Sequence, residues 1–477
     1  MSKKIKSDFI KDDVSRIEIE DTSHCNELAD IVPNNNLEEP KLFKFIERFC
    51  DLIYEHCSSS HKQIIAILVF DIANIIAIAG IKYTAHYLFD FSESGSGKDT
   101  SADLSRELVL KPIQRIQEGL RSSHYEKKLD DKEFKGKIFS SIHGAEITTQ
   151  SISKAFENNK HQCIRLSEVG QLLKDPKNQV VNFIVSNYGK PTIDLPMYIK
   201  DLNVDKPAFI EDASLSFYGN SNLAYLGHKT FSQHMKGGLL NRCILLFEDY
   251  ARPFEDLPKV REIANKELRS AQMKSNAFYI YCKNASKYVI PPIRQTDKYI
   301  KFHREIYDKQ LELKGTPAQE IHKRTIQNFR AIIYTFHFIE CFEKDVDQDP
   351  NNIYSLNDYE TVFTDQDGNE IKPTSKYNHI SDEVITMAVE YMKWLISGYD
   401  KLIAEVVGVS DDIKKEDLAE NIANFIKKDF EIKRKSGKVA TIKTREICRK
   451  FNINKTTLNE LLEGRISIKK SNIEGVI

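Results

Sequence analysis

The chain has 477 residues, 41% of them hydrophobic, with 69 basic against 70 acidic side chains and a formal net charge of −1. That length exceeds a single core and predicts about two to four domains; the near-neutral balance excludes a global attraction to polyanions, so any nucleic-acid surface must be local. The eight cysteines form no CxxC pair, which argues for cytosolic free thiols and against a disulfide framework or a zinc site.

Residues 1–38 are polar and charged, end in Pro33-Asn34-Asn35-Asn36 and read as a flexible arm; their start lacks the apolar core of a signal peptide. Two helices are expected between Pro40 and Ile81. In the first, Leu42, Phe43, Phe45, Ile46, Phe49 and Ile53 recur at helical spacing, and the second is the apolar run Ile64–Ile81, capped within Ser58-Ser59-Ser60. That run is long enough to cross a membrane. Asp71 and Asn74 sit inside it, however, and no aromatic or basic belt brackets it, so we expect a helix buried in a soluble, cytoplasmic protein with no membrane partner.

Next comes Tyr87-Leu88-Phe89-Asp90-Phe91-Ser92-Glu93-Ser94-Gly95-Ser96-Gly97-Lys98-Asp99-Thr100: an apolar strand, a glycine-rich turn, then a helix from near Lys98 to Leu110. This is the recipe for a phosphate cradle. Glycines let backbone N–H groups close on an anion, a helix N-terminus adds positive dipole, and a lysine reaches the outer phosphates. Candidate ligand-binding residues are therefore Ser94, Gly95, Ser96, Gly97, Lys98, Asp99 and Thr100. Two positions depart from the usual pattern: Ser92 stands where a glycine is usual, and Asp99 follows the lysine where Ser or Thr normally holds magnesium. Asp99 holding the metal directly or through water, and Thr100 taking over, both remain open; so does a Gly/Ser turn that binds nothing.

Beyond a charged stretch (Arg121–Lys137) the sequence predicts a helix over TTQSISKAFENN capped by Thr148 or Thr149, and an apolar strand, Cys163–Leu166, ending at Ser167-Glu168. A helix (QVVNFIVSNYG), a hairpin region over Pro191–Pro207, and strands over Ala213–Asn220 and Gly237–Phe247 follow. Strands alternating with helices imply a mostly parallel sheet with its ligand site at the strand ends. Glu168 at a strand end can orient water, or be a surface glutamate. Asn220 can sense a γ-phosphate, or simply make a turn. Arg242, after a glycine-rich turn, can be an arginine finger acting on a neighbour's nucleotide, or an ordinary surface arginine.

From Pro258 to about Val407 the pattern is helical, interrupted by a polar insert near Asp345–His379. The last stretch is small and basic, patterned helix, helix, turn, helix, strand, and resembles a winged helix-turn-helix. Lys443, Arg445, Arg449, Lys450, Lys455, Arg465, Lys469 and Lys470 are its candidate DNA contacts, with protein docking as the alternative.

In combination FSESGSGKDTSADL, GAEITTQSISKAFENNKHQCIRLSEVGQLL, SLSFYGNSNLAYL and GGLLNRCILLFED resemble helicase-like AAA+ ATPases of phages and integrative mobile elements, related to superfamily-three helicases. The resemblance runs from about 40 to 249. It implies an α/β P-loop ATPase core using ATP and Mg2+, Glu168, Asn220 and Arg242 as catalytic residues, Asp99 or Thr100 as metal ligands, single-stranded or forked DNA as partner, and a homo-oligomeric ring. The expected division is an arm (1–38), an N-terminal helical collar (39–82), the ATPase core (83–256), a helical extension (257–410) and the winged helix (411–477). GSGKDTSADL also resembles the P-loop of phage deoxynucleoside monophosphate kinases, and a nucleotide-binding switch or defence-system ATPase that unwinds nothing is a third reading.

Overall fold

The first helix forms because its apolar positions share a face: α1 (Lys44–Tyr54) buries Phe45, Ile46, Phe49, Cys50 and Ile53 and leaves Glu47 and Asp51 exposed. A computed structural model of the chain describes residues 38–92, 96–117, 140–144, 148–157, 159–175, 178–195, 209–222, 228–248, 252, 256–258, 262–286, 290–314, 320–345, 363–364, 370–371, 379–402, 422–423, 425–426, 428, 442–451, 458, 466–469 and 472–476. The second helix, α2 (His61–Ile78), buries every residue from Lys62 to Ala77, as a helix apolar all round must. Ser60 caps it, its hydroxyl accepting the Gln63 N–H at 3.1 Å. Among the described residues α2 is the helix long and apolar enough to cross a membrane, and 89% of it lies inside the protein.

The core then runs through β1 (Tyr87–Asp90), α3 (Lys98–Ser105), β2 (Ile142–His143), α4 (Thr149–Phe156), β3 (His161–Leu166), α5 (Gly170–Lys174), α6 (Gln179–Asn187), β4 (Thr192–Asp194), β5 (Phe209–Glu211), β6 (Ser214–Asn220), α7 (His228–Met235) and β7 (Ile244–Leu246). The expected parallel sheet is present, in the order β2-β3-β6-β1-β7, with β4 and β5 as a separate antiparallel pair. Parallel strands put their C-terminal ends on one edge. The register sets Asp90 beside Asn220 and Leu166 beside Gly219, so the segments after β1, β3 and β6 leave the sheet side by side. The outer edge of β7 is covered by Tyr399, whose hydroxyl accepts the Leu245 N–H at 3.0 Å.

Thr148, one of the two predicted caps, closes α4 in a capping box: its hydroxyl accepts the Ser151 N–H at 3.1 Å, and Ser151 Oγ accepts the Thr148 N–H at 3.0 Å. The helix after the glycine-rich turn differs from expectation. It is α-helical to Ser105, widens into a π turn over Arg106–Leu110 and resumes as α-helix over 111–117. A π turn frees carbonyls from the usual ladder, and here Gln272 Nε2 donates to Glu107 O and Ser275 Oγ to Leu108 O, each at 2.9 Å. Both partners lie on α8 (Asn265–Ala285), far away in sequence.

The two polar residues inside α2 bind it to the sheet. Asp71 pairs with Arg165 of β3 and accepts the Ser105 hydroxyl at 2.6 Å, while Arg165 Nη2 donates to Ala102 O at 2.9 Å. Asn74 Nδ2 donates to Phe70 O, so its Oδ1 accepts from His161 Nε2 at 3.0 Å, which leaves His161 Nδ1 to accept from the Ser214 hydroxyl at 2.8 Å. Burial pushes the His161 imidazole down to about 3.

Leu37–Ile477 forms one compact unit. Its helical part adds α9 (Asp297–Glu312), α10 (Thr325–Asp345) and α11 (Asp382–Leu395). Phe45 of α1 meets Phe278 of α8 at 5.0 Å and Phe342 of α10 at 5.5 Å, and one apolar core continues from Leu42 to Leu402. A short antiparallel pair, β8 (Phe363–Thr364) with β9 (Glu370–Ile371), lies within the predicted polar insert. At the C-terminus are β10 (Ile442–Lys443), α12 (Thr444–Phe451), β11 (Ile466–Lys469) and β12 (Asn472–Val476), forming an antiparallel sheet β10-β12-β11. The predicted wing is thus a hairpin joined by a third strand, where the sequence suggested one strand.

Asp71→Ala leaves Arg165 buried and unpaired and should cost about 3–5 kcal/mol, read as a lower urea midpoint. Replacing both partners by apolar residues of similar volume (Asp71→Leu with Arg165→Met) should cost far less; equal losses would assign the effect to volume rather than charge. A second expectation concerns pH. Burial lowers His86 from its ordinary 6.5 to about 4 and His161 to about 3. A base with a folded pKa below its unfolded one contributes its full stability above about 6.5 and loses it as pH falls toward the folded value. The urea midpoint should therefore drop between pH 7 and pH 5, and a flat profile there would place these imidazoles in water.

Candidate functional site

β1 ends in a buried aspartate that organises the turn after it. Asp90 Oδ1 accepts the Ser92 N–H at 2.8 Å and Oδ2 accepts from Gln63 Nε2 at 3.2 Å; the same Gln63 nitrogen reaches Ser96 Oγ at 3.2 Å. Burial pushes the Asp90 carboxyl up from its ordinary value. Gly97 has φ +83, and a Cβ there would lie 2.5 Å from Ser58 Oγ and 2.9 Å from Ser59 N, so only glycine fits between the turn and the α1–α2 link. Lys98 opens α3 and is buried, its ammonium donating to Ser92 O at 3.0 Å. Ser94 and Gly95 lie outside the described residues.

A cleft of about 370 Å³ opens beside this turn. The α1–α2 link contributes His56, Cys57 and Ser58, the start of α3 contributes Lys98, Asp99 and Thr100 after Gly97, the end of β3 contributes Glu168, and Leu257 and Pro258 complete the wall. Arg252 fixes the link from outside the cleft: its Nη1 donates to the Tyr54 and Cys57 carbonyls, both at 2.8 Å, and its guanidinium lies 3.9 Å from the Tyr54 ring centre.

Glu168 is exposed and stands in the left-handed region, φ +51, which a non-glycine residue holds only under constraint. Asn220 supplies part of that constraint. Its Oδ1 accepts the Glu168 N–H at 2.9 Å, its carbonyl accepts the Val169 N–H at 3.0 Å, and its Nδ2 donates to Asp99 Oδ1 at 2.8 Å. Gly97, Lys98, Asp99, Thr100 and Glu168 therefore border one cleft, with Asn220 linking two of them. Ser96, 7% exposed, stands just before them on Gln63. An oxygen-liganded cation fits this donor set. Among the described residues no group of three or more His, Cys, Asp or Glu side chains could cage a metal, whereas Asp99, Glu168 and the Thr100 hydroxyl border a cleft wide enough for phosphate and water to complete a magnesium shell.

Arg242 is elsewhere. It ends a 3₁₀ turn, Leu240–Arg242, just before β7 and so stands at the N-terminal edge of the sheet, opposite the cleft. Its Nη1 donates to Gly238 O at 2.6 Å, Asn241 Oδ1 at 2.9 Å and Gly237 O at 3.1 Å, and its carbonyl accepts from Asn328 Nδ2 at 3.1 Å. Partial burial and the nearby Arg324 lower its pKa. Of the candidate DNA contacts, Lys443 is in β10, Arg445, Arg449 and Lys450 are on α12 with Arg445 exposed, and Lys469 ends β11. Lys455, Arg465 and Lys470 lie outside the described residues.

Sequence reasoning missed Gln63, Arg252 and the wall formed by 56–58 and 257–258. Ser60-x-x-Gln63 does match a capping-box spacing, but the Gln63 side chain turns to Asp90 and Ser96 instead of back to the cap. No protein-family model matches the chain, and no curated protein matches it.

Gly97→Ala must meet both the positive φ and the Ser58 contact, and should destabilise the protein by about 1–3 kcal/mol in a urea titration. Ser58→Gly in the same chain should recover the Ser58 share and leave the φ share together with the contact to the Ser59 backbone. Full recovery would mean that backbone conformation at Gly97 is not a constraint.

Proposed function

We propose that the cleft binds ATP with magnesium and that the protein couples ATP hydrolysis to work on DNA, as a helicase-like motor of the AAA+ P-loop type. One observation carries the reading: Lys98 and Glu168, which follow two strands of a parallel sheet, border a single cleft, and Asn220, ending the strand between them, is buried behind it and bonded to the Glu168 N–H. Asp99, Thr100 or both would hold magnesium, which would supply positive charge against the outer phosphates. Lys98 neutralises those phosphates, its ammonium already lying within the turn. Glu168, exposed at the cleft, orients water and accepts its proton. His56, Cys57, Leu257 and Pro258 supply the wall for a base.

The position of Arg242 supports an assembly. It stands at the opposite edge of the sheet from its own cleft, so an arginine-finger role would require a nucleotide held by another copy, as in a homo-oligomeric ring. The exposed Arg445 on α12, which directly follows β10, supports contact with DNA phosphates. A nucleotide-binding switch would use the same cleft, and unwinding of a forked duplex separates the two.

Titration with a fluorescent ATP analogue should show Lys98→Ala weakened by more than about tenfold. Glu168→Gln should still bind while turnover falls about a hundredfold. Unchanged affinity in Lys98→Ala would put the nucleotide elsewhere. ATP turnover without ATP-dependent unwinding of a forked duplex would replace the motor by the switch.

A further inference from the structure

We propose that Asn220 is a positioning residue: it sets the Asp99 carboxylate for the magnesium of a bound nucleotide and ties it to the end of β3. The inference rests on reading the cleft as a magnesium–nucleotide site. The orientation of the amide follows from its partners. The Glu168 N–H can only donate, so it must meet Asn220 Oδ1 at 2.9 Å, which turns Nδ2 toward Asp99 Oδ1 at 2.8 Å. Asn220 is wholly buried, and its backbone is anchored on one side by Asp90 of β1 and on the other by the Val169 N–H, so its side chain starts from a fixed strand end. Asp99 is exposed at the cleft and gives Asn220 one oxygen, leaving Oδ2 for a cation.

The same amide also helps hold Glu168 at φ +51. One buried side chain thus fixes both carboxylate-bearing residues that border the cleft. One Asn220 N–H serves Asp99, its carbonyl oxygen serves the Glu168 N–H, and the side chain is wholly buried, so a phosphate could meet it only if the amide were uncovered. Orienting groups of this kind commonly set metal affinity by about ten- to a hundredfold without touching the metal.

The test titrates magnesium against a nonhydrolysable fluorescent ATP analogue with the full chain. Asn220→Ala should raise the magnesium midpoint about tenfold or more, while analogue affinity in EDTA stays within about twofold. In the Asp99→Ala background the same substitution should shift the midpoint by less than about twofold, because positioning needs the carboxylate. Equal shifts in both backgrounds overturn the proposal. A loss of affinity in EDTA also overturns it, assigning Asn220 to phosphate and leaving the nucleotide site standing. A wild-type chain that binds no analogue overturns both readings. Should Asn220→Ala not fold, Asn220→Ser takes its place: the magnesium midpoint should rise as for alanine in the wild-type background and by less than about twofold in the Asp99→Ala background, and equal shifts in both overturn the proposal.

Discussion

A single buried ion pair, Asp71 with Arg165, sets the position of almost everything around the cleft. α2 is apolar all round, and hydrophobic burial is indifferent to rotation about the axis of such a helix or to a shift along it. The pair removes that freedom. Arg165 joins β3 to α2 and, through Ala102 O, to α3, while Ser105 closes the remaining Asp71 oxygen. A charge buried this deeply is a weak source of net stability, because desolvation opposes the Coulombic gain. Its consequence here is register. Gln63 lies eight residues before Asp71, about 12 Å along the axis, and reaches Asp90 and Ser96 only at that register. A slip of one residue would turn Gln63 by about 100° away from the turn and unpair Asp71 at the same time.

The turn after β1 is therefore built from two directions. The sheet contributes Asp90, whose carboxylate orders Ser92, and α2 contributes the amide that spans Asp90 and Ser96. Gly97 completes it by letting the backbone pass against Ser58 and Ser59. That contact couples the turn after β1 to the α1–α2 link, which also walls the cleft and is pinned by Arg252. Collar and core share one apolar interior, so movement of the turn must be felt by α1 and α2.

What was legible in the sequence is what local pattern decides. The stripe of α1, the Ser60 and Thr148 caps, the strands before Ser92, Ser167 and Ser221, and the burial of Asp71 and Asn74 inside α2 all follow from spacing within a few residues. What was not legible depends on partners far along the chain. The π turn exists with Gln272 and Ser275 to take its freed carbonyls, and the Gln63 side chain leaves its helix for a strand end met only after folding. The cleft wall from Leu257 and Pro258 has no sequence signal at all, since neither residue type implies a ligand. Arg242 is an intermediate case: a glycine-rich turn before a strand was readable, but the edge of the sheet it occupies depends on strand order.

Strand order also bears on the two unusual residues near the proposed magnesium. The segment after β3 carries one carboxylate, Glu168, beside Ser167, and Asp99 carries a second at the start of α3. Because β6 lies between β3 and β1, a residue at its C-terminal end is the only part of the sheet adjacent to both positions. Asn220 stands there and contacts both. On the proposed reading the two carboxylates around the cation therefore stand on either side of one strand. An amide suits the intervening position because it donates to a carboxylate and accepts from a backbone N–H without adding charge of its own. An aspartate in its place would face Asp99 at hydrogen-bond distance, and two like charges that close in a partly buried site would not both remain ionised.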